Sequence, residues 1–395
     1  MVIAGDPSGD RLAAELVDAL RKEVIAISQD GSTDVQPLRT ALAPRFFGAG
    51  GPEMAAAGVE LAFDLTRHAV IGVTDVVRKY PQFRRMFKHL LNLAIERQPD
   101  VIIGVDFSGF NLRFGRAIKN YVRKHRREFV PWNPQLVQFV LPQVWASRPG
   151  RAFTLSENYD LLLAIFPFEK AWYARRVPDL KVEFVGHPMV DRLANDVREV
   201  RTAVGKTPCV LLLPGSRRAE VERHCPLVTR AFELLRRELP ELRGKMILPN
   251  EAMAQLARGF GLPAGVEIQV GGITAALAEA DLAITKSGTV TMECAMFGVP
   301  AVVFYQLSPL NYFIARRFMT VDYVAMPNLL AGDEIFPEFL QYAATPENLA
   351  RASLELLRNP ARRRTVESKL AGVVASLGGG GATARAAQAI ARLLK

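Results

Sequence analysis

The sequence predicts an α/β protein of two domains facing a central cleft, and three observations carry that prediction. Short apolar runs end repeatedly on glycine-containing polar turns and then give way to helical spacing, as at residues 101–105 before Asp106. Such strand-to-helix turns suit an open α/β sheet, in which ligands bind beyond the strand C-termini. The pattern then starts afresh at Thr207-Pro-Cys-Val-Leu-Leu-Leu-Pro-Gly-Ser-Arg217, after Gly186-His187-Pro188. We therefore expect an N-terminal domain over 1–188 and a C-terminal domain over 189–395, the latter with a tail helix that either crosses back or is exchanged between copies. A chain of 395 residues is long enough for two cores.

In chain order, residues 1–4 read as a first strand, followed by the loop Gly5-Asp-Pro-Ser-Gly-Asp10. Leu12, Leu16 and Leu20 then recur at a spacing of four, the inner face of a helix. Gly48-Ala-Gly-Gly51 invites a dinucleotide reading. Position 53 is Glu where the third glycine of G-x-G-x-x-G belongs, so that reading is rejected.

Residues 70–91 interleave apolar side chains (Ile71, Val73, Val77, Phe83, Met86) with Arg78, Lys79, Arg84, Arg85 and Lys88. An apolar surface rimmed by basic residues fits acyl chains and anionic headgroups. An amphipathic helix packed on the sheet, with solvated charges, reads the same. Asp106 closes the strand 101–105 at the mouth of the sheet. A carboxylate there suits a general base toward a hydroxyl, worth about 10²–10⁴-fold, or equally a cap for the next helix. Runs at 138–146, 161–169 and 182–188 repeat the strand-then-turn pattern.

In the second half, Gly215-Ser216-Arg217 ends a strand, and Arg217 offers a permanent charge and planar donors to a diphosphate. Residues 281–304 read as strand, polar loop, helix and strand, the helix stopped by Gly298 and Pro300. The loop Ser287-Gly288-Thr289 at a helix start is a natural phosphate cradle. Glu293, a turn further in, suits a ribose diol. A plain N-cap with a solvated Glu is the alternative. Asn328 is the one polar residue in the middle of the apolar turn 323–332, and a last helix follows Gly381.

Composition narrows the class. The chain is 49% hydrophobic with mean hydropathy +0.10, so it is globular. A net charge of +10 favours anionic partners. The three cysteines form no C-x-x-C pair and suggest a reducing cytoplasm. The opening residues lack the features of a signal peptide, and no apolar run approaches the roughly 18 residues of a spanning helix, so any membrane contact is expected to be peripheral. There is no D-x-D, no histidine or cysteine spacing for a metal, no G-x-S-x-G and no Walker A pattern. We therefore expect no metal and no cofactor, with charge on a leaving diphosphate met by Arg217 and a helix start.

Taken together, the ordered motifs resemble those of the lipid-A-disaccharide synthases, glycosyltransferases of the GT-B architecture with two Rossmann-like domains. They run almost end to end: Ala4-Gly-Asp6-Pro-Ser8-Gly-Asp10, Gly48-Ala-Gly-Gly-Pro-Glu-Met54, Val70-Ile-Gly72, Asp106-x-x-x-Phe110-Asn111, Pro142-Gln-Val-Trp-Ala146, Phe166-Pro-Phe-Glu169, Gly186-His187-Pro188, Leu213-Pro-Gly-Ser-Arg-Arg-Ala-Glu-Val-Glu222, Ser287-Gly-Thr289 with Glu293, and Pro327-Asn-Leu-Leu-Ala-Gly332.

The resemblance implies transfer of 2,3-diacylglucosamine from its UDP conjugate to 2,3-diacylglucosamine 1-phosphate (lipid X), with inversion and release of UDP. It implies Asp106 as base for the acceptor 6-hydroxyl. UDP would be bound by Gly215, Ser216, Arg217, Ser287, Gly288, Thr289, Glu293 and Asn328. The stretch from Ile71 to Met86 would meet acyl chains and the inner membrane. Asp6, Ser8, Asn111 and His187 are further candidates by motif. A homodimer with exchanged C-terminal helices, peripheral to the cytoplasmic face of the inner membrane, is implied as well.

Three positions depart from the family pattern: Asp6 for the usual Glu, Ser147 for a second Trp, and Ser108 for a usual Pro. Two sibling activities fit less well. The MurG type would show a G-G-T-G-G-H loop, and a 2-epimerase would leave the acyl-compatible stretch without purpose. A non-catalytic lipid or nucleotide-sugar binder is a further alternative, and a nucleic-acid protein rests on charge alone.

Overall fold

A computed structural model describes residues 1–29, 44–68, 73–125, 131–198, 207–308, 312–313, 317 and 319–394. The chain forms two compact units, Met1–Pro188 together with the segment from Gly378 onward, and Met189–Leu377.

The first unit is built on seven parallel strands: β1 (Val2–Ala4), β2 (Phe47–Gly50), β3 (Glu60–Asp64), β4 (Val101–Val105), β5 (Gln135–Phe139), β6 (Leu161–Ala164) and β7 (Val182–Phe184). Their order is β3-β2-β1-β4-β5-β6-β7. Val2 pairs with Gly48 on one side and Ile103 on the other, so the direction of winding reverses between β1 and β4. Helices α1 (Pro7–Gln29), α2 (Pro52–Ala56), α3 (Val73–Arg97), α4 (Ser108–Lys124), α5 (Val144–Ser147), α6 (Arg151–Asn158) and α7 (Pro167–Ala174) connect them. Leu12, Leu16 and Leu20 are buried, as their spacing requires. Phe87 of α3 meets Phe110 and Phe114 of α4 edge-on, with centroids 5.4 and 5.6 Å apart.

That packing bears on the basic-apolar stretch. Phe83 and Met86 lie against the core of the first unit, while Arg84 and Arg85 are exposed. Here α3 is an amphipathic helix on the sheet, and these two apolar side chains face inward rather than toward a lipid. Ile71 lies outside the described residues. Val73 and Val77 belong to α3, but their side chains are outside the described set.

The expected C-terminal domain does not extend to the chain end. The helix Ala382–Ala391 lies along α1. Arg385 donates to the carbonyl of Val185 at 2.8 Å, and Arg392 pairs with Glu183 at 2.6 Å. Ala386, Ala387 and Ala389 are buried, and such small side chains let two helices approach closely. The tail thereby completes the first unit.

The second unit holds six parallel strands: β8 (Cys209–Leu213), β9 (Arg243–Leu248), β10 (Val266–Val270), β11 (Leu282–Lys286), β12 (Ala301–Tyr305) and β13 (Glu338–Leu340). Their order is β10-β9-β8-β11-β12-β13, so the winding reverses between β8 and β11. Among its helices are α8 (Pro188–Arg198), α9 (Arg218–Glu238), α10 (Glu251–Arg258), α11 (Ile273–Glu279) and α12 (Val290–Met296). In open parallel sheets ligands bind at such reversals, beyond the strand C-termini. Asp106 follows β4 at the first reversal. Gly215–Arg217 and Ser287–Thr289 follow β8 and β11 at the second.

Candidate functional site

At the first reversal the chain leaves β4 in an unusual backbone. Asp106 and Phe107 both take left-handed conformations, φ +48° and +42°. Such residues are rare outside glycine and cluster at functional sites. The Asp106 N–H donates to the Phe139 carbonyl at 2.9 Å. Its own carbonyl accepts from Asn111 Nδ2 at 2.8 Å and Gln138 Nε2 at 2.9 Å. Phe107 folds over the loop after β1. A Cβ on Gly5 would stand 2.2 Å from its ring, so only glycine fits there. This close approach joins the Asp6 and Asp106 loops. Burial first, and then the Asp6 charge, push the Asp106 carboxyl up to about 6, against the opposing Phe107 N–H. A carboxylate so poised is suited to take a proton near neutral pH.

The other sequence candidates in this unit divide by role. Asp6 accepts the Gly9 N–H at 2.6 Å and faces Asp106 electrostatically. Ser8 is exposed in the first turn of α1. Asn111 is buried and holds the Asp106 carbonyl, so it acts through the backbone. His187 packs on Phe166, with centroids 5.4 Å apart.

Buried Asp10 explains the glycines at 48–51. Its carboxylate accepts the N–H groups of Gly51 (2.6 Å), Glu53 (3.0 Å) and Met54 (3.2 Å), so the start of α2 is already occupied. Glu169, its carboxyl pushed up to about 7 by burial, accepts Trp145 Nε1 at 3.1 Å and the Phe166 N–H at 3.2 Å. Trp145 is thus moored from behind, a role that only the capping spacing of Pro167-Phe-Glu169 hints at. Beside α5, the Arg151 guanidinium is brought below its ordinary range by burial and then by the charges of Arg148 and Arg113.

At the second reversal a concavity of about 430 Å³ is lined by Gly215, Ser216, Arg217, Lys286, Gly288, Thr289 and Glu293, with Leu213, Ile247 and Leu248 among its apolar residues. Six of the eight predicted nucleotide-side residues meet there. Gly215 has φ +131°, and a Cβ would stand 2.5 Å from the Glu220 carboxylate, so the position demands glycine. Glu220 Oε2 accepts the N–H groups of Ser216 (3.0 Å) and Arg217 (3.3 Å), and Lys286 Nζ lies 3.2 Å from Oε1. Burial pushes the Glu220 carboxyl up, but the charge and hydrogen bond of Lys286, with the Ser216 N–H and Arg217, outweigh it and hold it below its ordinary range. Glu293 is half-buried, and burial raises its carboxyl. His224, its charged form disfavoured by burial, lies 2.7 Å from the Pro214 carbonyl through Nδ1 and backs the loop.

Two predicted residues stand apart from that lining. Ser287 turns its hydroxyl to the Val324 carbonyl at 2.7 Å. Asn328 is fully buried, and protein groups use its whole amide. Nδ2 donates to the Phe336 carbonyl and to Glu338 Oε1, both at 2.8 Å, while Oδ1 accepts from Ile335 (3.0 Å) and Phe336 (2.8 Å). Its polarity within an apolar turn therefore reflects a buttress and not a nucleotide contact. Lys286 and Glu220 lie within stretches singled out in the sequence, but their pairing, which spans 66 positions, was not legible there.

The family model described as lipid-A-disaccharide synthetase matches residues 1–391. A lipid-A-disaccharide synthase of Alkalilimnicola ehrlichii is 35% identical over 385 residues, covering 94% of this chain and 92% of that protein. One from Myxococcus xanthus is 34% identical, covering 100% and 97%. Among solved structures, the S. aureus MnaA-UDP co-structure superposes with a TM-score of 0.61 at 13% identity, covering 100% of this chain and 95% of that one. Acinetobacter baumannii MurG gives 0.54 at 15%, covering 99% of both. At these identities the structural likeness speaks for the fold, which is GT-B.

Proposed function

We infer what this protein does from one premise: the chain belongs to the lipid-A-disaccharide synthase family. It is a glycosyltransferase that joins a diacylglucosamine carried on UDP to a diacylglucosamine 1-phosphate, forming the lipid A disaccharide. The observation that carries the chemistry is Asp106, a carboxylate raised to about 6 on a strained turn at the first reversal.

Asp106 removes the proton of the acceptor 6-hydroxyl as that oxygen bonds to the donor anomeric carbon. The bond from that carbon to the UDP oxygen breaks, and UDP leaves with the electron pair. A single displacement of this kind inverts the anomeric centre. Arg217, Lys286 and the start of α9 meet the diphosphate charge, and the Glu293 carboxylate accepts the ribose hydroxyls. The UDP of the S. aureus MnaA-UDP co-structure supports a nucleotide in this type of fold. With no D-x-D in the sequence, we assign charge neutralisation to these residues rather than to a metal. Arg113, Arg148 and Arg151 offer guanidinium groups to the acceptor phosphate.

Among the described residues no helix is long and apolar enough to cross a membrane. We assign the protein to the cytoplasmic face of the inner membrane as a peripheral enzyme, with the basic exposed side of α3 toward the lipid. A dimer would exchange the helix Ala382–Ala391, which docks on α1.

The experiment is UDP release on mixing the protein with UDP-2,3-diacylglucosamine and lipid X in detergent, each also omitted in turn. Release that needs both, with a disaccharide phosphate by mass, is expected. UDP binding without release would remove the proposed acceptor.

A further inference from the structure

We propose that Gln138 is a positioning residue for Asp106: its buried amide, with that of Asn111, grips the Asp106 carbonyl and fixes the left-handed turn that aims the carboxylate. The inference rests on the reading of Asp106 as the base.

Gln138 lies on β5, next to β4, and its side chain is completely buried. A glutamine there is unusual, because buried strand positions are normally apolar. Its Nε2 stands 2.9 Å from the Asp106 carbonyl, 3.2 Å from that of Val140 and 3.4 Å from that of Phe139. Rotating the amide by half a turn would set its oxygen against three carbonyl oxygens, so the surroundings fix its orientation. In that orientation Gln138 Oε1 has no hydrogen-bond partner, and neither does Asn111 Oδ1. Gly104, on β4 between them, makes room for both. A Cβ there would lie 2.7 Å from Gln138 Oε1 and 2.9 Å from the Asn111 amide.

Two kinds of unfavourable structure thus meet at one point. Asp106, Phe107 and Val140 have positive φ, the last a β-branched residue at +62°. The Gln138 amide touches the carbonyls of two of the three. Two amide oxygens are buried without a partner as well. A leucine or methionine would remove the unpartnered Gln138 oxygen but also the donor shared by the Asp106 and Val140 carbonyls, so what distinguishes glutamine here is its hold on that backbone. What the arrangement achieves is a fixed backbone under the Asp106 carboxylate, and strain that is held in place from several sides is a mark of functional sites.

The test compares Gln138→Met, which keeps length without donors, with Gln138→Glu, which is neutral when buried and retains one O–H donor. We expect kcat to fall at least tenfold in Gln138→Met and less in Gln138→Glu. UDP affinity and both KM values should stay within about twofold, and both variants should remain folded, with a modestly lower unfolding midpoint in Gln138→Met. The acid limb of the kcat–pH profile should move as the carboxylate leaves its place beside Asp6. Wild-type kcat with an unmoved limb in Gln138→Met would overturn the inference. So would failure of both variants to fold, which would assign Gln138 to the fold alone. Asp106→Asn run alongside separates the two readings. If it turns over normally, the base assignment fails; if it is inactive while the Gln138 variants behave as the parent, only this inference fails.

Discussion

Lys286 Nζ lies 3.2 Å from Glu220 Oε1, tying the end of β11 to the first turn of α9. Both groups are mostly shielded, with side-chain exposures of 19% and 15%. Through Glu220 Oε2 the same contact reaches the N–H groups of Ser216 and Arg217. One ammonium therefore organises the loop after β8 and adds positive charge where a diphosphate would sit. Replacing Lys286 with Met strands a half-buried carboxylate beside that diphosphate. UDP affinity measured by calorimetry should fall on the order of tenfold or more, about 1.4 kcal/mol per decade. An unchanged Kd would remove Lys286 from the nucleotide site.

Asp106→Asn keeps the shape of the side chain and removes its basicity. Turnover should drop by about 10²–10⁴-fold, the usual worth of a positioned general base. UDP binding should be nearly untouched, because Asp106 belongs to the first unit and the residues proposed for the nucleotide to the second. A large loss of UDP affinity in this variant would assign Asp106 to the donor instead.

The pH profile follows from the same carboxyl. A base must be unprotonated to act, so kcat/KM should rise with pH through about 6 and level off above it. The Asp6 charge helps to raise that pKa, so Asp6→Asn should shift the acid limb toward lower pH. A limb that stays in place or moves upward would contradict the electrostatic link.

Glu169 affects stability in a pH window of its own. Burial raises its carboxyl in the folded protein to about 7, from a reference value of 4.5. The folded state therefore holds this proton more tightly than the unfolded chain. The resulting stability is fully present below about 4.5 and is lost as pH rises through about 7. The loss has an upper bound of roughly 3 kcal/mol, at about 1.4 kcal/mol per unit. Glu169→Gln stays neutral throughout, so denaturant unfolding of the variant should decline less across this interval. Parallel curves for the two proteins would refute the assignment.

Asn328→Ala would leave the Ile335 and Phe336 N–H groups and the Phe336 carbonyl buried without a partner. A destabilisation of about 2–4 kcal/mol is expected, seen as a lower unfolding midpoint. A variant of parental stability with weakened UDP binding would return Asn328 to the nucleotide.

The parts of this molecule that could be read from its sequence are those written in local pattern. Apolar runs such as 101–105 and 209–213 became strands because they are buried on both faces. The turns after them drew attention to Asp106, Arg217 and Gly288, which the structure places at the two reversals of the sheets. Asn328 misled because an amide in an apolar turn reads alike whether it meets a ligand or its own backbone. Phe83 and Met86 misled because an amphipathic period does not say which side faces the protein. The pairings of Gln138, Lys286 and Glu220 stayed hidden because their partners are distant in sequence. The crossing back of the last helix was among the expectations, but an alanine-rich segment carries little hint that α1 is what it lies against.

The tail has one more consequence. A Cβ at Gly378 would stand only 3.4 Å from the Cα of Gly186, so the chain re-enters the first unit almost where it left. The second unit is therefore an insertion at a single point of an otherwise continuous domain. Joining residue 188 to residue 378 through a few glycines should yield a self-standing seven-stranded protein. Cutting the chain after Leu377 should instead unmoor α1 and harm the domain farthest from the cut in sequence.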